Sequence, residues 1–158
     1  MQAVFPWRQG TPCGDVIASV KFSQPERLLE YMIVGGYALA FHGAPRFTGD
    51  LDVLVKPDPE NAKRILTALE AFGFASVGLT SGDFSRPDQV VQLGVPPVRI
   101  DLITSLTGTS WDEAFAGKTA GSYGDVSVYY IGREQFIANK RATGRQKDLA
   151  DLEMLGEV

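Results

Sequence analysis

Histidine and cysteine are almost missing from this chain. Its 158 residues contain one of each, His42 and Cys13. Zinc sites of the Cys/His type need several such ligands, so they are excluded. A Ser-His-Asp triad would have to use His42, and the chain has no Gly-x-Ser-x-Gly elbow to carry the serine. His42 reads instead as a helix-end or surface residue. A lone cysteine cannot form an internal disulfide, which agrees with a reducing compartment.

Long apolar runs are missing too. The longest stretch, Tyr31 to Phe41, is interrupted by two glycines and is far shorter than a membrane span. The N-terminus lacks the basic head and apolar core of a signal peptide, so a cytoplasmic location and no membrane partner are expected. Positive charge is also scarce: 15 Lys and Arg against 19 Asp and Glu give a net charge of −4. That argues against broad binding of DNA or RNA. No Gly-x-Gly-x-x-Gly suggests a dinucleotide fold. Gly117-Lys118-Thr119 mimics the end of a P-loop, but Asp112 stands where that motif needs its first glycine.

What is present is acidic and closely spaced. Asp50 and Asp52 open the apolar run Val53-Leu54-Val55, fourteen residues after the pair Gly35-Gly36. Strand residues two apart share a face, with Cα atoms roughly 6.5 to 7 Å apart, so both carboxylates can lean toward one point. They repel each other unless a cation lies between them, and Mg²⁺ is commonly held by one or two carboxylates plus substrate phosphates. A strand end with two solvated acids is the plainer alternative. Gly35-Gly36 joins the β-type run Tyr31-Met32-Ile33-Val34 to the helix-forming segment Tyr37 to His42. Such a turn presents backbone N–H groups to an anion, although it would equally serve any sharp bend. Asp101 lies mid-strand among apolar residues, where a carboxylate needs a partner. Completing a metal site with Asp50 and Asp52 is one answer, and an ion pair with Arg99 on the same strand face is the other.

Together, Gly35-Gly36, Arg46-x-Thr48-x-Asp50-x-Asp52 and Asp101 in Val98-Arg99-Ile100-Asp101-Leu102-Ile103 resemble the polymerase-beta-like nucleotidyltransferase superfamily. The likeness is to its small bacterial branch of stand-alone domains and abortive-infection-type toxins. It covers Ile33 to Asp101 and continues through Lys140 to Asp151, where Lys-Arg-x-x-Gly-Arg-x-Lys-Asp-x-x-Asp is similar to the closing helices of that branch. The first thirty residues match nothing.

The resemblance implies transfer of a nucleoside monophosphate from a triphosphate such as ATP to a hydroxyl, with Mg²⁺ or Mn²⁺. Asp50, Asp52 and Asp101 would be both the metal ligands and the catalytic residues, with Asp101 also able to accept the proton of the attacking hydroxyl. Gly35 and Gly36 would receive the triphosphate. Arg46, Lys140, Arg145 and Lys147 would neutralise phosphate charge, and Thr48 would position Asp50 or touch the nucleotide. Between Arg133 and Asp148 five basic residues face two acidic ones, which suits a triphosphate or an RNA end, or else a solvated helical face. The acceptor is left open among a tRNA end, a protein partner such as an antitoxin, and a small hydroxylated molecule. The alternative is an inactive nucleotide- or partner-binding module, for example a toxin–antitoxin component.

Patterning predicts a short helix at 25–31 and a strand to Val34. A helix to about Gly43, a strand over Asp50 to Lys56 and an amphipathic helix over Asp58 to Phe72 follow. Next come a polar loop at Ser81 to Asp88 and strands Gln89 to Leu93 and Val98 to Thr104, joined as a hairpin. A helical turn at Trp111 to Ala116 and one or two strands within Ser122 to Ile131 precede closing helices Glu134 to Arg141 and Gln146 to Leu155. The expectation is one domain over 1–158, with residues 1–24 an extension of unknown role and 133–158 the closing helices. Its class is α/β or α+β, a mixed β-sheet flanked by helices.

Overall fold

The computed structural model describes residues 2–3, 29–71, 78–95 and 98–157. Strand pairing organises them into one mixed sheet. Its strands are β1 (Gln2–Ala3), β2 (Tyr31–Val34), β3 (Asp50–Val55), β4 (Val90–Val95), β5 (Val98–Ile103), β6 (Thr119–Tyr123) and β7 (Val126–Tyr130). They lie in the order β1-β4-β5-β3-β2-β7-β6, so the two-residue β1 only extends one edge of a sheet made by the other six. β3 is central: it runs antiparallel to β2 and parallel to β5, with Val34 opposite Asp52 and Asp52 opposite Asp101.

Among the described residues five helices accompany the sheet: α1 (Gly35–Phe41), α2 (Pro59–Ala71), α3 (Trp111–Gly117), α4 (Arg133–Thr143) and α5 (Gln146–Met154). The start of α2 shows how local chemistry sets them. Pro59 fits a first turn that needs no N–H, and Asp58 Oδ1 accepts the Asn61 N–H at 2.8 Å. The helix then buries Ala62, Ile65, Ala68 and Leu69, the spacing of one helical face. α3 opens on a reciprocal cap in which Ser110 accepts from the Glu113 N–H and Glu113 accepts from the Ser110 N–H. Gly144, at φ 58°, ends α4 and turns the chain into α5.

The alternation of β3 sorts the two faces of the sheet. Leu51, Val53 and Val55 point one way, with Ile100 and Leu102 of β5 and the apolar side of α2, and together they line a hollow of about 40 Å³. Asp50 and Asp52 point the other way, as do Arg99 and Asp101 of β5. The hollow is therefore behind the acids and lined by apolar side chains and Tyr31, which gives it nothing with which to hold a phosphate.

The expected elements are present with shifted ends. The segment Ser122 to Ile131 resolves into the end of β6 and the whole of β7, the two strands of a hairpin that begins earlier, at Thr119. Gly121 is one reason for that sequence, since a Cβ there would meet the Phe41 ring at 2.7 Å. Ser81–Asp83 forms one 3-10 turn, and the next residue, Phe84, is fully buried rather than part of a polar loop. The helix expected at 25–31 falls mostly outside the described residues, and its last residue, Tyr31, begins β2. The role of 1–24 and the Pro96-Pro97 turn lie outside them as well.

Asn61 fixes the register of α2 against the strand ends. It is fully buried, donates to the carbonyls of Glu30 and Lys56 at 2.9 and 3.0 Å, and accepts the Glu30 N–H at 2.9 Å. Asn61→Ala would strip those backbone groups of their partner, at about 2 to 3 kcal/mol. Urea denaturation should show a lower midpoint with an unchanged slope. A loss under about half a kcal/mol would mean that water replaces the side chain.

Candidate functional site

The acids gather because of strand register. Asp50 and Asp52 occupy one face of β3, and Asp101 on β5 is the direct partner of Asp52 across the parallel ladder. Arg99, two residues before Asp101, is the partner of Asp50. Four ionised side chains thus form a square at the end of the central strands.

Arg99 binds two of the three acids. Its Nη2 donates to Asp50 Oδ2 at 2.6 Å and to Asp101 Oδ2 at 3.2 Å, while its Nε donates to Asp101 Oδ1 at 3.0 Å. The ion pair weighed for Asp101 is therefore present, and it extends to Asp50. Asp52 stands outside this pairing. Burial, joined by the charges of Asp101 and Asp50 and opposed by those of Lys140 and Lys147, pushes its carboxyl up to about 6 from 3.8. Burial also raises Asp101, with Asp50 adding to the effect, against hydrogen bonds from Arg99 and Gln92. Gln92 is opposite Asp101 on β4, a neighbour that strand patterning did not single out.

The glycine turn presses on Asp52. Gly35 has φ +65°, and a Cβ there would collide with the Asp52 carboxylate, so both conformation and space call for glycine. A Cβ on Gly36 would meet the Thr48 side chain at 2.9 Å. Thr48 in turn donates from Oγ1 to the Asp50 carbonyl at 3.2 Å, which ties the loop to the start of β3. No side chain caps the first turn of α1. His42 ends that helix, its Nε2–H donating to the Ile131 carbonyl at 2.7 Å.

The basic residues behave differently from one another. Lys140 is buried and donates to Asp148 at 3.0 Å, with Asp151 3.1 Å away. Arg145 pairs with Asp148 at 2.7 Å, and Arg46 grips Asp151 with two bonds of 2.7 and 3.1 Å. These cations expected to meet phosphate already hold carboxylates, and Asp148 and Asp151, absent from the expected site, are their partners. Burial alone would raise both aspartates, but Arg145 and Lys140 at Asp148, and Arg46 and Lys140 at Asp151, hold them below the usual carboxylate range. Arg133 and Arg141 reach Glu157 instead. Lys147 is exposed and has no ion-pair partner among the described residues, yet its charge is felt at Asp52.

The donor set has the hard oxygen chemistry that Mg²⁺ or Mn²⁺ prefers. It also carries more negative charge than one guanidinium offsets. As placed, however, no three His, Cys, Asp or Glu side chains among the described residues form a ready metal cage. Arg99 instead takes oxygens of two of the three acids.

An acid whose pKa is raised by folding adds stability that is complete below its unfolded value and is lost as pH rises through its folded value. For Asp52 that window runs from 3.8 to about 6. Metal-free protein should therefore gain about 1 kcal/mol between pH 7 and pH 5. Below about pH 4 it should lose stability, because Asp148 and Asp151, lowered by folding, then take up protons more readily in the unfolded chain. Asp52→Asn should abolish the upper limb and match or exceed wild-type stability at pH 7, as denaturant midpoints across the pH range would show. Unfolding of apo Asp52→Asn would give Asp52 a structural partner instead.

No family model matches the chain, and no curated protein does. Among solved structures it is similar to a Thermotoga maritima protein named "a putative nucleotidyltransferase", with a TM-score of 0.53 and 13% identity over 90% of this chain and 89% of that one. At that identity the likeness concerns architecture, and the α+β fold of this chain is nucleotidyltransferase-like.

Proposed function

We propose that this protein is a metal-dependent nucleotidyltransferase that moves a nucleoside monophosphate from a triphosphate to a hydroxyl acceptor. The observation that carries the reading is the register of β3 and β5. It sets Asp101 beside Asp52 on the face that also bears Asp50, under a turn whose Gly35 touches Asp52.

Asp50, Asp52 and Asp101 would hold Mg²⁺ or Mn²⁺, which when bound supplies neutralisation of phosphate charge. The protein itself would align and dehydrate the reactants. Gly35 and Gly36 offer backbone N–H groups to the triphosphate. Asp101, whose carboxylate burial makes more basic, would take the proton of the attacking hydroxyl at an Oδ atom. Thr48 holds Asp50 in place through its backbone. Of the four cations assigned to phosphate, Lys147 is the one without a carboxylate partner. Arg46, Lys140 and Arg145 would contribute field from within their ionic network. An RNA end, a protein or a small hydroxylated molecule would serve as acceptor, in a cytoplasmic setting and in the manner of the small stand-alone or toxin-like branch.

One observation favours a second reading, an inactive nucleotide- or partner-binding module. Arg99 already neutralises Asp50 and Asp101. Incubation with each labelled triphosphate, Mg²⁺ or Mn²⁺ and separate RNA, protein and metabolite fractions decides between the two. Label transfer with pyrophosphate release, lost in Asp52→Asn, is expected. Metal-dependent nucleotide binding without pyrophosphate would support the module, and nucleoside monophosphate formed without acceptor would indicate hydrolysis.

The lysines give a sharper check. Lys147→Ala should weaken triphosphate binding about five- to tenfold, a charge-assisted contact, with little change in nucleoside binding or thermal midpoint. Lys140→Met should instead destabilise the fold by about 3 kcal/mol, because it removes the buried cation shared by Asp148 and Asp151 and leaves them only Arg145 and Arg46. Calorimetry and thermal melts read both, and a reversed pattern would mean that the roles are misassigned.

A further inference from the structure

Two kinds of ion pair sit side by side at this site. Lys140 and Asp148 have side chains 7% and 0% exposed, so neither can leave without unbalancing a buried network. Arg99 and Asp50 are 24% and 30% exposed, at the open end of the strands. The guanidinium can leave Asp50 for water at small cost, but Asp101, 10% exposed and held by two bonds, needs another cation in its place.

Arg99 also sits where a competing cation would have to go. It engages one oxygen of Asp50 and both oxygens of Asp101. Its backbone position, two residues before Asp101 and opposite Asp50, places it beside both acids. Three carboxylates share the face, so one guanidinium leaves a surplus of negative charge for which a divalent ion would be the better match.

We propose that Arg99 is a built-in counter-cation of the acid cluster, a latch that a divalent metal must displace from Asp50 and Asp101. The proposal rests on the reading of those acids as metal ligands. It makes Arg99 a positioning residue. Without metal it keeps like charges together on a folded sheet; with metal it is released. The two cations are then thermodynamically coupled, each weakening the hold of the other by the same factor.

The test measures Mn²⁺ alone binding to the full chain, by the loss of its free resonance signal, together with the thermal midpoint at each Mn²⁺ concentration. Arg99→Ala should bind Mn²⁺ at least about fivefold more tightly than wild type. Its apo form should melt lower, and Mn²⁺ should close the gap. Arg99→Lys, which keeps the charge but loses the fork, should fall between the two. If apo Arg99→Ala does not fold, its recovery with Mn²⁺ and the Arg99→Lys comparison carry the measurement. Equal or weaker Mn²⁺ binding in Arg99→Ala would overturn the latch while leaving the metal reading intact. No Mn²⁺ binding by any variant, with Asp50→Asn and Asp101→Asn as destabilising as Arg99→Ala, would overturn both and leave a structural ion cluster.

Discussion

Crowding of like charge on one face of the central strands is the constraint on which the rest of this structure depends. A parallel pairing of β3 with β5 in this register forces Asp52 against Asp101, and the two-residue period of a strand adds Asp50 to the same face. Nothing in backbone geometry relieves that repulsion. The neighbourhood is built around it: Arg99 spans two of the acids, Gln92 supports one, and the turn at Gly35 closes on the third. Asp52, the acid least compensated, is the one whose protonation burial favours most.

Behind this cluster lies a second charged assembly with the opposite balance. Arg46, Lys140 and Arg145 surround Asp148 and Asp151, which ties α4 and α5 to the loop that leads into β3. Its carboxylates are buried and their pKa values lowered, so this network is a fixed part of the fold. Its excess of one cation faces an acid cluster with an excess of anions. Lys140 and Lys147 both bear on Asp52 across that boundary. The closing helices thus do two jobs, holding the loop that carries Thr48 and lending a positive field to the acids.

The parts of this arrangement that follow from local pattern were readable from the chain. The Asp-x-Asp strand, the Gly-Gly turn and α2 each carry a period or a turn residue that backbone geometry requires, and their predicted ends are within a residue or two of those observed. The partners of the basic residues were not readable. Helical spacing shows that Lys140 and Asp148 lie on helices, but it does not say that the turn at Gly144 folds one back onto the other. Lys140 therefore looked like a free cation although it is buried. The start of β6 was hidden for another reason. Thr119-Ala120-Gly121-Ser122 has little β propensity, and it forms a strand because it pairs with β7 and leaves room for the Phe41 ring.

The contrast between the two assemblies bears on what the site is for. A protein that needed only to neutralise three acids could bury them with matching cations, as Asp148 and Asp151 are buried with Lys140. Here the acids lie together on the central strands, short of positive charge, with their one guanidinium partly in water. Such an arrangement is costly in the absence of a ligand and is relieved by one that brings positive charge. Under the proposed function a divalent ion carrying a polyphosphate would meet both halves of the requirement, its charge set against the acids and its phosphates against the glycine turn and Lys147. Charge balance is the support that the side chains themselves lend to that proposal.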